Sequence, residues 1–335
     1  MIGGISLKFT ESMLTTYSQP LSKTEDEQCR NAIRMVADAL KTLGFTDDNA
    51  AITPLYSETF AYSLQLRRSS DSRSIKLFVQ GSYANNTNVR TESDVDVAVI
   101  QEEIFRAEYR NDSVQTQSGA DYGFTTAPAT AKSFKDEVQE ALKEKFGPDV
   151  ERKNKSIKVH GNTYRKDADT VPCRRYRDYR QDYSRNENNY VGGVVIYPDN
   201  GGIIINYPEQ HIANGRRKNS DTNHYYKKMV RIMKKMRYLM EDSYNMAYSS
   251  AARNVSSFML ESLLWNIEES WYLENCGVYR KVFAFSQLIA TLRNRKVYFW
   301  VYKEANGIKA LCPTTSDYTN LCNFLDQLAS FYEYE

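Results

Sequence analysis

Apolar residues recur along this chain in two periods. Near the N-terminus the spacing is helical: Cys29, Ile33, Val36, Leu40 and Leu43 predict a helix, opened by a Ser22-Lys23-Thr24-Glu25 capping box and stopped at Gly44. Residues 1–20 read as an arm, and about 54–67 as a second helix. The period then falls to two. Ile75-Lys76-Leu77-Phe78-Val79-Gln80 predicts a strand, and Val95, Val97 and Val99 predict another after the polar stretch that begins at Gly81. Residues 101–128 have no clear period and stay open between a loop and a short helix. Thr130 reads as the cap of a helix to Phe146, with Phe134, Val138, Leu142 and Phe146 on one face and Gly147-Pro148 as its end. Further strands are expected at Ser156–Val159, at Ala168–Val171 and on both sides of the turn Pro198-Asp199-Asn200-Gly201-Gly202. The Arg-, Tyr- and Asp-rich run 173–189 reads first as a solvated hairpin or loop, and second as a basic rim near a substrate.

After about residue 210 the helical spacing returns. A long helix, capped within Asn219–Asp221 and ending near Glu241, buries Tyr226, Met229, Val230, Met233, Met236 and Met240. More helices are expected near 254–267, 279–293 and 317–332, with a strand-like run at Lys296–Tyr302 before the last. Strands first and helices after predict an α+β chain of two domains, 1–210 and 211–335.

Composition narrows the class. The chain has 335 residues, 41% of them hydrophobic and 26% charged, enough to bury a core. A net charge of +2 argues against a dedicated duplex-binding surface but not against small anionic substrates. No apolar run approaches the roughly 20 residues of a membrane span, and no signal-peptide pattern opens the sequence. The five cysteines form no Cys-x-x-Cys pair, which favours reduced thiols and a cytoplasmic protein. His160, His211 and His224 have no metal-ligand spacing, so no zinc site is expected.

The candidate chemistry lies between the first two strands. Asp94 and Asp96 are two residues apart and share a strand face. Two carboxylates side by side on an apolar strand are costly unless a cation joins them, and hard oxygen ligands suit Mg²⁺ or Mn²⁺. Gly81-Ser82 offers close backbone approach and hydrogen-bond donors for phosphate oxygens. A lone Asp-x-Asp is ordinarily surface charge and a lone Gly-Ser ordinary turn punctuation; the combination in order is far more specific. A third carboxylate is expected on an adjacent strand. Asp169 and Asp167 both qualify by parity, and periodicity does not separate them.

Strand, Gly-Ser, loop and Asp-x-Asp strand resemble the signature of the polymerase-β-like nucleotidyltransferase superfamily. Over roughly Ser22 to Trp265 the layout resembles the CD-NTase family, bacterial relatives of cyclic GMP-AMP synthase. The resemblance is carried by Gly81-Ser82-Tyr83, Thr87, Asp94-Val95-Asp96, Asp169-Thr170-Val171-Pro172, the 206–211 run, the 227–234 run and Ser256–Trp265. It implies a nucleotidyltransferase core with a mixed or antiparallel sheet, a C-terminal helical domain and an active site in the cleft between them. It implies that Asp94, Asp96 and Asp169 bind two Mg²⁺ or Mn²⁺ ions, the apolar-Asp-apolar-Val-Pro context favouring Asp169. It further implies that Gly81 and Ser82 hold phosphate, that Lys234 contacts donor phosphates beside Arg231 and Lys227, that Ser257 and Phe258 meet a phosphate and stack on a base, and that Asn206 reads a base edge. The plain alternatives are a solvated helix face for the three cations and core packing for Phe258. Tyr207 departs from relatives that run Asn-Pro directly, and there is no Cys/His ribbon of the kind that the animal DNA sensor carries.

The implied activity is synthesis of a cyclic di- or trinucleotide from nucleoside triphosphates with release of pyrophosphate, in bacterial anti-phage signalling, with a separate effector reading the product. The partners expected are the triphosphates and that effector, without membrane or DNA, and the protein is expected to be a monomer. The rivals are a template-independent RNA or tRNA nucleotidyltransferase and a non-catalytic nucleotide-binding module of the same fold. The C-terminus Phe331–Glu335 lacks the small-residue end that some relatives use for conjugation.

Overall fold

The computed structural model describes residues 8–46, 53–54, 59–71, 73–89, 94–127 and 132–333. In chain order the elements are α1 (Glu11–Tyr17), α2 (Lys23–Leu40), β1 (Thr53–Pro54), β2 (Tyr62–Arg68), β3 (Arg73–Gln80), α3 (Gly81–Ala84), β4 (Val95–Glu108), α4 (Phe134–Phe146), β5 (Val150–Arg152), β6 (Ile157–Val159), β7 (Ala168–Asp178), β8 (Val191–Ile196) and β9 (Ile204–Asn206). Helices follow: α5 (Pro208–Asp221), α6 (Tyr225–Glu241), α7 (Met246–Arg253), α8 (Ser257–Trp265), α9 (Glu269–Cys276), α10 (Lys281–Asn294) and α11 (Thr315–Glu333). They form two compact units. A sheet unit holds Lys23–Ala84 and Ser93–Glu209; a helical unit holds Met1–Ser22, Asn85–Glu92 and Gln210–Glu335. One division lies between Glu209 and Gln210, and Met1–Ser22 and Asn85–Glu92 group with the helical unit.

In the sheet unit the strand order is β1-β2-β3-β4-β7-β6-β5, with β8 on β7 and β9 on β8. Among the described strands only β4 and β7 run parallel, so the sheet is mixed. Val95, Val97 and Val99 of β4 are fully buried. Helices α2 and α4 pack on each other and against β7, and α2 also against β4, using Cys29, Ile33, Val36 and Leu40 from one and Val138, Ala141 and Leu142 from the other. Ser133 caps α4 by accepting from the Asp136 N–H; Thr130 lies outside the described residues.

Several expectations give way here. No helix forms at 62–68. Tyr62, Leu64 and Leu66 are buried while Gln65 and Arg67 point out, a period of two that makes β2 a strand. Strand β4 continues through Gln101–Glu108 instead of giving way to a loop or helix, and a register shift against β7 between Gln101 and Phe105 scrambles its alternation. The run from Cys173 is neither hairpin nor solvated loop up to Asp178: it is the far half of β7. Arg175 is buried there because Glu102 and Glu209 pair with it, at 2.6 and 3.2 Å, and the Arg177 guanidinium lies 3.9 Å from the Phe105 ring centre.

The core of the helical unit is built on Tyr226, Met229, Val230, Met233, Met236 and Met240 of α6, with Leu260, Leu263 and Leu264 of α8 and Phe324, Leu325 and Leu328 of α11. Phe9 and Leu14 of the N-terminal arm pack into the same core. Asn219–Asp221 close α5 rather than open α6, which begins after His224 in the left-handed region at φ 63°. Lys296–Tyr302 forms no strand. It is a tight helical turn stitched by Tyr298 N–H to Arg295 C=O and Phe299 N–H to Lys296 C=O, with only Phe299 of its apolar residues fully buried.

Candidate active site

Strand register brings the acids together. Asp96 of β4 is the direct neighbour of Asp169 on β7, and Val95 N–H donates to Asp167 C=O, which sets Asp94 beside Asp167 in the same way. Both rows point to one face because residues two apart on a strand do so. On the other flank of β7, Lys158 of β6 is the register partner of Asp169. Its ammonium lies 3.1 Å from Asp94 and 2.6 Å from Asp167. Burial alone would depress the Lys158 pKa, yet hydrogen bonds to Asp167 and Asp94 hold it above the ordinary range.

Periodicity could not separate Asp167 from Asp169; their surroundings do. Asp167 accepts the Gly161 N–H at 2.5 Å and pairs with Lys158, and these partners outweigh burial to lower its pKa. Asp169 is half-buried and accepts the Ser156 hydroxyl at 3.2 Å. Burial, aided by the negative charge of Asp94 and opposed by Lys158, raises its pKa. Asp169 is therefore the carboxylate whose charge the protein leaves under-compensated. Among the described residues no three acidic, histidine or cysteine side chains converge tightly enough to form a metal cage. The donor set still suits a hard cation: Asp94, Asp96 and Asp169 share one sheet face, and one of them carries a charge the fold has not neutralised.

Gly81 sits against this face for a reason the sequence did not expose. It opens the short α3 at φ 72°, and a Cβ there would lie 2.0 Å from Asp96 Oδ2. Only glycine lets the turn pass over that carboxylate. Tyr83 then fixes the turn to α2. Its hydroxyl donates to Asp26 at 2.7 Å and its ring stacks on Phe60 at 5.1 Å. Ser82 is half-buried in the same turn.

The remaining predicted site residues fall elsewhere. Asn206 ends β9, half-buried, opposite Val194. Tyr207, the departure from the family pattern, is buried edge-on against Tyr176 at 6.1 Å. In the helical unit Ser256 caps α8, so Ser257 is its first helical residue, and Phe258 is half-buried with its ring edge-on to His211 at 4.9 Å. The solvated-face reading of Lys227, Arg231 and Lys234 fails: all three are buried. Lys234 is 2% exposed and its ammonium meets Glu261 at 2.6 Å and Thr87 Oγ1 at 3.1 Å.

Sequence reasoning missed two residues with legible signals. Lys158 could have been found from its parity in the strand beside Asp169. Glu261 could have been found as a lone carboxylate in the apolar run Phe258-Met259-Leu260-Glu261-Ser262-Leu263-Leu264, where burial demands a cation. The five cysteines are free thiols, and burial pushes Cys29 and Cys276 up to about 12, far from the nucleophilic range.

Comparison with known proteins identifies the family. The profile of the cGAS/DncV-like nucleotidyltransferase C-terminal helical domain matches residues 213–333. Cyclic GMP-AMP synthase CdnE03 of Staphylococcus schleiferi is 43% identical over 329 residues, 97% of each protein. Cyclic dipyrimidine nucleotide synthase CdnE of Cecembia lonarensis is 36% identical, across 78% of this chain and 76% of its own. The structure of Rhodothermus marinus CdnE c-UMP-AMP synthase with Apcpp and Upnpp superposes with a TM-score of 0.71 at 26% identity, covering 97% of this chain and 96% of that one. That of Elizabethkingia meningoseptica CdnE cyclic dinucleotide synthase with GTP and Apcpp gives 0.69 at 28% identity, covering 98% and 100%. With its α+β polymerase-β-like fold and a relative that similar along nearly its whole length, the chain belongs to the CD-NTase family.

Proposed function

We propose that this protein is a nucleotidyltransferase that joins two nucleoside triphosphates into a cyclic dinucleotide. In each of two steps a ribose hydroxyl attacks an α-phosphorus, a new phosphodiester forms, the α–β phosphoanhydride breaks and pyrophosphate leaves. The observation that carries the reading is the Asp96–Asp169 register pair under the Gly81 turn, in a chain 43% identical to a cyclic GMP-AMP synthase.

Asp94, Asp96 and Asp169 would hold Mg²⁺ or Mn²⁺, which when bound neutralises triphosphate charge and lowers the pKa of the attacking hydroxyl. The backbone of Gly81 and the Ser82 hydroxyl receive phosphate oxygens. Lys158 balances the acids before substrate arrives and spares the fold the full repulsion of neighbouring carboxylates. Phe258 offers a ring face for a base, Ser257 a hydroxyl for phosphate, and Asn206 a carboxamide for a base edge. The product is a diffusible signal for a separate effector in anti-phage defence.

Incubating the protein with all four labelled triphosphates and Mg²⁺ tests this. Phosphatase-resistant products with the mass of a cyclic dinucleotide are expected, and the mass also identifies the bases. Labelling that requires added RNA would instead make the protein an RNA nucleotidyltransferase.

A further inference from the structure

Thr87 belongs to the sequence signature but has no part in the chemistry just described. It lies on the chain between the Gly81-Ser82 turn and Asp94, yet residues 85–89 group with the helical unit. There, three consecutive residues are each gripped by a buried side chain. Asn85 Nδ2 lies 3.2 Å from His211 Nδ1. The Asn86 carbonyl accepts from Arg231 Nη1 at 2.5 Å, while Arg231 Nε donates to the Ser18 carbonyl at 2.7 Å. Thr87 Oγ1 donates to Glu261 Oε2 at 2.7 Å and accepts from the Lys234 ammonium at 3.1 Å.

Glu261 is the hub. It is 1% exposed, and its carboxylate takes Lys234 at 2.6 Å and His211 Nε2 at 2.8 Å as well as Thr87. His211 thus bridges the two, with Nε2 facing Glu261 and Nδ1 facing the Asn85 amide. Asn86 adopts φ 54°, a left-handed conformation that Asn tolerates better than other side-chain-bearing residues. Lys234, on which the family resemblance places a donor-phosphate contact, is 2% exposed here and meets the Glu261 carboxylate.

We infer that Glu261, with Lys234, His211 and Arg231, is a positioning cluster that clamps Asn85–Thr87 and thereby fixes the link between the phosphate turn and the metal-binding strand. Lys234 acts through Thr87 and not on the substrate. The inference rests on the nucleotidyltransferase reading above, since it assigns these residues to that reaction. A shift of about 1 Å in a reacting group can cost about 10²-fold in rate, so a loosened link should reach catalysis directly.

The mildest probe is Thr87. Thr87→Val keeps the shape and deletes the hydroxyl; Thr87→Ser keeps the hydroxyl. Thr87→Val is expected to lower kcat about tenfold or more with KM for triphosphate within about twofold, and Thr87→Ser to restore kcat. Glu261→Gln and Lys234→Met should each lower kcat, and their double variant should lose far less than the product of the two effects. Hydrogen exchange of the 85–89 amides should quicken in Thr87→Val and Glu261→Gln, with the sheet amides of 95–101 unchanged. An unchanged kcat in Thr87→Val, unchanged exchange at 85–89, or a Lys234→Met variant whose main defect is a raised KM for triphosphate would each overturn the clamp. The exchange arm needs no turnover: if the wild-type protein made no nucleotide product, the proposed function would fall while exchange still decided the clamp.

Discussion

The molecule holds two clusters of charge that differ in chemistry. On the sheet, Asp94, Asp96, Asp167 and Asp169 share a face and are answered by Lys158. Among the helices, a single carboxylate, Glu261, is answered by Lys234, His211 and Thr87. Burial alone would raise the pKa of Glu261, but Lys234 and then His211 drive it well below the ordinary range; burial raises that of Asp169 and its neighbours do not bring it back. A satisfied, sealed cluster serves the architecture. A cluster with surplus negative charge at a half-buried face is one that a divalent cation would complete.

The contrast predicts that removing charge damages the two sites differently. The largest effect belongs to the sheet: Asp94→Ala combined with Asp96→Ala should abolish product formation, by about 10³-fold or more, while thermal stability hardly falls. Retained synthesis of the labelled product would remove these acids from the metal site. Next comes Glu261→Gln, which leaves the Lys234 ammonium buried without its counter-charge and should cost roughly 3 kcal/mol at pH 7. The pH dependence has a definite sign. The folded pKa of Glu261 is depressed below its ordinary 4.5, so its contribution is whole above that pH and declines as pH falls beneath it. Melting curves should therefore show the gap between wild type and Glu261→Gln narrowing from pH 5 towards pH 3. A constant gap would mean the carboxylate is not ionised in the folded protein.

Gly81→Ala ranks third. The added methyl would meet the Asp96 carboxylate and sit on a left-handed backbone, together costing about 2–3 kcal/mol. Truncating the carboxylate should relieve part of this. The Gly81→Ala/Asp96→Ala double variant should melt above the Gly81→Ala single variant, and equal melting would show that the clash is relieved in some other way.

How much of this was legible before the structure depends on the range of each signal. Alternation placed Asp94 and Asp96 on one face, and a nearly pure apolar stripe defined α6, because both are local periodicities that a single element settles. The register of β4 on β7 is not local: it separates Asp169 from Asp167 only once Lys158 and Gly161 are seen to occupy the latter. Strand β2 and the outer halves of β4 and β7 carry a weaker local signal, because Arg, Glu and Gln stand where a buried strand is expected to be apolar. The stripe of Lys227, Arg231 and Lys234 reads as solvated on any hydropathy scale, and only the carbonyls and carboxylate brought by residues distant in sequence make it an interior.

The smallest effect separates the two clusters most cleanly, because its sign is inverted. Asp169 has a raised pKa, so its ionised form is less favourable in the folded chain than in the unfolded one. Folding then favours the protonated acid, and stability is lost as pH rises from its ordinary 3.8 through the folded value. At neutral pH that penalty is fully present. Asp169→Asn removes the charge, keeps an oxygen to accept from the Ser156 hydroxyl and should raise the melting temperature of the metal-free protein by about 1–3 °C, where a comparable change at a satisfied carboxylate would lower it. The gain should vanish near pH 3, where wild-type Asp169 is itself protonated. With Mg²⁺ and a non-hydrolysable triphosphate the order should reverse, because ligand-linked stabilisation requires the carboxylate the variant lacks. A metal-free variant no more stable than wild type at pH 7 would mean that Lys158 already neutralises Asp169, and the surplus charge that sets this face apart from the Glu261 cluster would not exist.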